Sequence, residues 1–515
     1  VLAGIIVGVV VAVTSNSGSP SVAPTGPVSA TPPATAAPTI SKAPSLAPTL
    51  VPTFVPSLEP TLSPSRTEAL KQTFQAILGN RAIRNDADRA LWNDTATPQY
   101  RALDWLLHDS YIRNKDSIGS DEISERYVLA VLYFSTDGDN WQDQDFEFLA
   151  EKPVCEWNFT RTYTGDIDPG YSCDGEGCPV GVLCGYESYI QTIRLTGVGL
   201  SGTIPWELSL LSDLPSLILP DNALIGSIPT ELGQLSSLVE LALWGNQLEG
   251  TLPTELGTLT ALTSLALGSN FMTGRLPTEL GNLTDLTMLS IEENSLTGIL
   301  PTELGLLKSL SDLYIYSNQL NGTIPIEFIG LRDLETLGLD NNTLTGTLPT
   351  ELGKLAILTI LDLTDNQLWG TLPTELGLLN HLSGLYVSSN QLNGTIPIEL
   401  SQLPGLEYLF LDDNALTGTL PTELGLLAQL SELSVSSNQL NGTIPIELSR
   451  LPWLTYFSLQ DNAFSGSVDA TFCPQGREWW KFESDCLATD GEAEIECVCC
   501  TVCCNVDGTD CQEIT

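Results

Sequence analysis

LVELALWGNQLEGTLPTELGTL occupies residues 238–259. Its Asn246 has counterparts at 222, 270, 294, 318, 342, 366, 390, 414, 438 and 462, always 24 residues apart. Glycine keeps the same step from 202 to 466, and proline from 205 to 445. Leucines hold the same phase. A fixed period without one insertion is the mark of a stacked array, in which each unit buries its apolar edge only against the next.

The letters follow from that requirement. The L-x-L segment is a short strand whose leucines point inward. The asparagines, stacked unit on unit, can bond backbone groups in the turn after the strand. Glycine and proline then redirect the chain to the far side. Strands stack at about 4.8 Å, so twelve turns make a rod of roughly 55 Å. The twelfth is a divergent first turn at Ile193–Leu195, where Val198 stands in place of the asparagine. A longer echo, PTELGLL…SSNQLNGTIPIELS at 373–401 and again at 421–449, marks duplication of 48-residue pairs.

The heptapeptide TLPTELG (251–257) returns at 347, 371 and 419 and carries one glutamate per unit, from Glu207 to Glu447. A paired-carboxylate active site needs two unlike environments, and equivalent copies are the opposite. The expected place is the first turn of a short helical segment on the convex side. There the helix-end dipole favours a carboxylate by about 0.3–1 kcal/mol. Neighbouring carboxylates repel by roughly 0.8 kcal/mol in water. The row reads as frame. Loose Ca²⁺ binding along it is the residual functional idea.

The pattern L-x-x-L-x-L-x-x-N-x-L-x-G-x-[IL]-P-x-E-L-G-x-L resembles the plant-type leucine-rich repeat over about 190–468. The resemblance implies an α/β solenoid: a curved right-handed rod with a parallel sheet on its concave side and disulfide-rich caps at both ends. ERYVLAVLYFSTDGDNW (125–141), CEW (155–157) and CPVGVLC (178–184) resemble the N-terminal cap of that family. By that resemblance Cys155 and Cys184 would be the cap pair, and Cys173 with Cys178 an extra one. Four cysteines by themselves allow three pairings. The expected organisation is a partial transmembrane segment (1–13), a Pro/Ser/Thr-rich stalk (14–66), a small helical segment (67–125), a four-cysteine cap (126–190), the repeats (191–468) and a Cys-rich C-terminal cap (469–515). The order of anchor, stalk and repeats resembles leucine-rich-repeat surface proteins of diatoms. Plant receptor kinases place a kinase after the repeats. None is found here before Thr515, so catalytic signalling in cis is not expected.

The composition points outside the cytoplasm. The second cysteine group is Cys473, Cys486, Cys497, Cys499, Cys500, Cys503, Cys504 and Cys511, and the repeats between the groups have none. Two even groups suggest disulfide caps in an oxidising compartment. Zinc on the CVCCTVCC thiolates is the rival. VLAGIIVGVVVAV (1–13) carries no charge, and no Lys or Arg follows until Lys42. This reads as part of a single-pass anchor with the repeats outside. A cleaved signal, giving a secreted or cell-wall protein, is the alternative. From Pro44 to Pro64 proline recurs every fourth residue, which favours an extended spacer. Seven N-glycosylation sequons (Asn93, Asn158, Asn282, Asn321, Asn341, Asn393, Asn441) fit a secretory route.

The net charge is −43, from 63 acids and 20 bases. That argues against nucleic acid, which needs clustered Lys and Arg, and favours cationic or calcium-bridged partners. Only two histidines exist, His108 and His381, and the sequence shows no nucleophile elbow, HExxH helix or phosphate loop. An enzyme is not expected, and no cofactor is implied. Function is expected on the concave face, at the positions between the strand leucines. Those columns contain no Lys or Arg but include Trp244, Asp312, Tyr314, Tyr316, Asp340, Asp362, Tyr386, Tyr408, Phe410, Asp412, Glu432 and Tyr456. Tyr386, Tyr408 and Phe410 are expected to touch. Tyr314 and Tyr316 form a second spot near Asp312 and Asp340. Aromatics beside carboxylates suit a protein or peptide carrying Lys or Arg, or a glycan. The competing use of the surface is a structural or ice-binding array built on Thr ladders: Thr203 and its successors after the motif glycine, and Thr230 and its successors after the motif proline.

Overall fold

The computed structural model describes residues 94–114, 119–142, 148–161, 178–185, 189–467, 472, 481–484, 495–496, 500–504 and 511–513. The apolar segment 1–13, the stalk, Asn93, Cys173, Cys473, Cys486, Cys497 and Cys499 lie outside these residues, as do the side chains of Cys178, Cys503, Cys504 and Cys511. Among the described residues no helix is long and apolar enough to cross a membrane.

Each 24-residue unit folds as one rung. In the rung that opens the sequence, Glu240–Ala242 forms a strand of a 17-stranded sheet. Gln247–Thr251 forms a strand of a 12-stranded second sheet, and Thr254–Thr258 closes the rung as a 3-10 helix. Pro253 precedes that helix with φ −64°, which its ring pre-sets. Successive rungs pair in parallel and in register: Glu240 with Ser264, Leu241 with Leu265, Ala242 with Ala266. The solenoid is therefore as expected. Its leucines are inside: Leu241, Leu243, Leu248, Leu256 and Leu259 are wholly buried. Each such side chain contributes on the order of 1.5–3 kcal/mol.

The asparagine ladder has a definite bonding pattern. Asn246 Nδ2 donates to the carbonyl of Leu219 one rung back (3.0 Å) and to those of Leu243 (3.0 Å) and Trp244 (3.2 Å) in its own turn. Its Oδ1 accepts the N–H of Leu224 at 3.0 Å. Asn366 repeats this with Leu339, Leu363, Thr364 and the N–H of Leu344. One carboxamide thus satisfies buried backbone groups of two rungs, which a buried turn requires.

Both ends extend beyond their expected limits. Helices α1 (Pro98–His108), α2 (Ser110–Asn114) and α3 (Ser120–Ser135) sit before the repeats. The boundary expected at 125/126 falls inside α3, whose buried face begins at Ile123 and Arg126. Arg126 is fully buried. Its Nε bonds Asp109 Oδ2 at 2.8 Å, its Nη1 bonds the Lys152 carbonyl at 2.8 Å, and its guanidinium lies against Tyr111 and Trp157. Among the described residues, helices α1 to α3 and the cap therefore pack as one unit. Cys155 and Cys184 form a disulfide, the pairing implied by the family cap. At the other end the long sheet does not stop at 468. Lys481–Ser484 adds a further parallel strand, with Phe482 opposite Phe457, and Val502–Cys504 follows it. Phe482 replaces the motif leucine and no asparagine follows, so the period hides this rung. Cys500 is disulfide-bonded.

Candidate functional site

The glutamate row lies where expected. Every copy sits in the first turn of its 3-10 helix, as Glu255 and Glu279 do. Thr254 and Thr278 turn their hydroxyls onto the glutamate beside them at 3.2 Å. Glu207 differs: it is buried and accepts a hydrogen bond from Gln99 of α1 at 2.9 Å. Among the described residues, no three His, Cys, Asp or Glu converge to hold a metal ion. The other threonine column also has a packing role. The Thr251 methyl lies over Gly274, which has φ +84°, and the Thr323 methyl over Gly346 in the same way.

The long sheet's outer face carries the expected columns. Tyr314 pairs in register with Gly338, and Gly338 with Asp362. Asp362 in turn pairs with Tyr386, and Tyr386 with Phe410. The two aromatic spots expected from sequence are therefore one band, joined through Asp362. Two residues the sequence reading did not single out make this possible. A Cβ at Gly338 would lie 3.4 Å from Tyr314 Cδ1 and 3.5 Å from Tyr316 Cδ1, so the rings lean over the bare backbone. A Cβ at Gly384 would fall 2.5 Å from the Tyr386 ring.

Tyr314 and Tyr316 meet edge to face at 6.4 Å, and Tyr314 Oη donates to Asp312 Oδ1 at 3.2 Å. Ser311 Oγ holds the other Asp312 oxygen at 2.6 Å. Further along, Tyr386 stacks on Tyr408 at 6.2 Å and on Phe410 at 5.4 Å, and Phe410 reaches Tyr456 at 5.9 Å. The expected contact of the first three is present. Tyr386, however, is only 8% exposed and forms the floor of the stack, with Tyr408, Phe410 and Tyr456 half-buried around it. Trp244 belongs to the same face but stands three rungs from Tyr316, roughly 14 Å at the usual strand spacing. It is not part of the band.

The carboxylates between the rings are under strain of charge. Burial lifts Asp340 well above the usual carboxylate range, and the Asp362 carboxylate lifts it further. Burial also raises Asp362, against the N–H of Thr364, which donates to Asp362 Oδ1 at 3.0 Å. Burial raises Asp412 too, opposed by the Ser388 hydroxyl at 2.8 Å, and it raises Glu432. The phenols of Tyr314, Tyr316 and Tyr386 are pushed up by burial first, then by Asp312, Glu292 and Asp362 respectively, and stay neutral. The absence of bases in the columns ends at the rung that the sequence reading missed. Lys481 pairs in register with Tyr456, lies 5.7 Å from its ring and bridges Glu483 at 3.0 Å.

Comparison with known proteins agrees with this architecture. The family described as Leucine Rich Repeat matches residues 333–355, 358–379, 405–427 and 429–451. The chain belongs to the leucine-rich-repeat family, and its repeats are of the plant type. No curated protein matches it by sequence. Among solved structures, the plant peptide hormone receptor RGFR1 in complex with RGF2 is 36% identical. That match covers 57% of this chain and 47% of that one, at TM-score 0.56. PEPR1-AtPEP1 is 30% identical over 68% of this chain and 49% of that one, at TM-score 0.55. The chain thus spans about half the length of these two matched chains. A plant ice-binding protein matches at 23% identity over 68% of this chain and 96% of that one. The TM-score of that match is 0.45.

Proposed function

We propose that this chain is a non-enzymatic extracellular recognition protein. It binds a peptide or protein segment presenting Lys or Arg to the band from Tyr314 to Tyr456. The observation behind this is the half-buried pair Asp340 and Asp362, seated between two aromatic groups on one sheet face. Both carboxyls are held above their ordinary range because burial disfavours their ionised forms, and a bound cation would favour those forms. The rings supply flat apolar surface and cation–π attraction, about 2 kcal/mol when desolvated. A charge-assisted hydrogen bond to either carboxylate adds about 1.5–3 kcal/mol. The similarity to a plant peptide hormone receptor supports a peptide over a glycan. Attachment to a membrane through 1–13 belongs to the same reading and rests on sequence alone. An ice-binding or structural array has less support, because the Thr methyls cover glycines and the Thr hydroxyls of the second column face their own glutamates. The test is to pan a random linear peptide library against the full chain. Enriched sequences should carry Lys or Arg, and Asp362→Asn should weaken them at least tenfold. Equal binding by Asp362→Asn and wild type would reject the reading.

A further inference from the structure

The structure separates five of the seven N-glycosylation sequons into two groups. Asn158 Nδ2 donates to the carbonyls of Cys155 (2.9 Å) and Val182 (3.3 Å) inside the cap. Asn341 sits at φ +49° with its Nδ2 on Ser317 Oγ at 3.0 Å. A glycan takes one hydrogen of that nitrogen and its space. Asn321, Asn393 and Asn441 are different. Each stands at the same place on a second-sheet strand: Gln319–Gly322, Gln391–Gly394 and Gln439–Gly442. All three are exposed, and all are followed by a glycine of positive φ and an exposed threonine.

A second feature recurs in the same three rungs and nowhere else in the array. Five residues past each asparagine, where the other rungs place Thr (Trp206 in the first), stands an isoleucine. Ile326, Ile398 and Ile446 are 59%, 53% and 47% exposed. Five residues of extended chain span at most about 17 Å, so each isoleucine lies within reach of a sugar chain on its own asparagine. The three stand three and two rungs apart on one flank, with Thr350, Thr374 and Thr422 at the rungs between, so each presents its own exposed apolar side chain for a glycan to cover.

We propose that Asn321, Asn393 and Asn441 carry N-linked glycans that cover Ile326, Ile398 and Ile446. One flank of the solenoid is then shielded, and the aromatic–carboxylate band on the long sheet is left open. This rests on the extracellular part of the reading above and not on the binding band.

The experiment is to secrete the full chain from eukaryotic cells and release glycans with a glycosidase in ¹⁸O water. Peptide mapping then reads the Asn to Asp conversion. Asn321, Asn393 and Asn441 should be labelled, and Asn158 and Asn341 not. Sedimentation velocity follows on the triple variant Thr323→Val, Thr395→Val, Thr443→Val, which breaks each sequon and keeps the packing methyl. It should self-associate at concentrations where wild type is monomeric. Adding Ile326→Thr, Ile398→Thr and Ile446→Thr should restore the monomer. Unlabelled Asn321, Asn393 and Asn441 would overturn the site assignment. A triple variant that stays folded and monomeric would overturn the shielding role. Either failure leaves peptide binding by the band untouched.

Discussion

Two sets of carboxylates share this molecule, and they behave oppositely. On the 3-10 helices a glutamate recurs on every rung, and apart from the buried Glu207 none is buried, Glu279 being exposed beside its Thr278 hydroxyl. On the long sheet Asp340 and Asp362 occur once, half-buried, with their charge resisted first by burial and then by a neighbouring carboxylate, Asp362 for Asp340 and Asp365 for Asp362. The first set is what the frame tolerates. The second costs stability and has no counterpart one rung away. Repetition marks architecture, and a costly exception to the repetition marks the candidate site.

Four substitutions test the contrast. The largest effect belongs to the frame. Asn366→Ala strands the N–H of Leu344 and takes one of two donors from each of the carbonyls of Leu339, Leu363 and Thr364, which keep Asn342, Asn390 and the Asn341 N–H. It should cost about 3 kcal/mol in chemical denaturation, from ~1–3 kcal/mol for the buried N–H left unpaired and about 0.5–1.5 kcal/mol for each further bond lost. Next is Tyr386→Ala, which removes the floor under Tyr408 and Phe410. It should cost about 2 kcal/mol of stability and most of the peptide affinity. A loss of stability without loss of binding would make the stack purely structural.

The third effect reverses sign. Asp362→Asn keeps an oxygen for the Thr364 N–H and removes the buried charge, so it should stabilise the fold at neutral pH while weakening a cationic ligand. The pH dependence follows from the direction of the shifts. A carboxyl whose folded pKa is raised binds its proton more tightly in the native state. Its contribution is present below the ordinary value of 3.8 and is lost as pH rises above it through the neutral range. Wild type should therefore lose stability over that window faster than an Asp340→Asn, Asp362→Asn double variant. Binding of a Lys or Arg peptide should strengthen over the same window, because the carboxylates must ionise to meet it. Smallest of all is Glu279→Gln in the exposed row, within about 0.5 kcal/mol in stability and without effect on binding.

Much of this was legible in the letters because the frame is periodic. A 24-residue step names the inward leucines, the bonding asparagine and the proline before each helix, since each rung meets identical neighbours. The columns between the leucines could be read for the same reason, including the contact of Tyr386 with Phe410. What escaped lacks a period. Gly338 and Gly384 look like gaps in a column, yet they seat the tyrosine rings. Asp362 looked like one acid among several, and only register shows that it joins the two aromatic groups. The rung at Lys481–Ser484 was hidden because Phe482 fills the leucine position after a break in the spacing. Helix α3 ran through the expected boundary because Arg126 binds Asp109 across it, a long-range ion pair that no local pattern announces.

The most direct test is a paired measurement on Asp340→Asn, Asp362→Asn at pH 7.5. Calorimetric melting is set beside titration with a Lys- or Arg-bearing peptide selected on wild type. A melting temperature above wild type together with at least tenfold weaker binding is the predicted result. A lower melting temperature, or unchanged affinity, would contradict the claim that this buried charge is kept for a cationic partner.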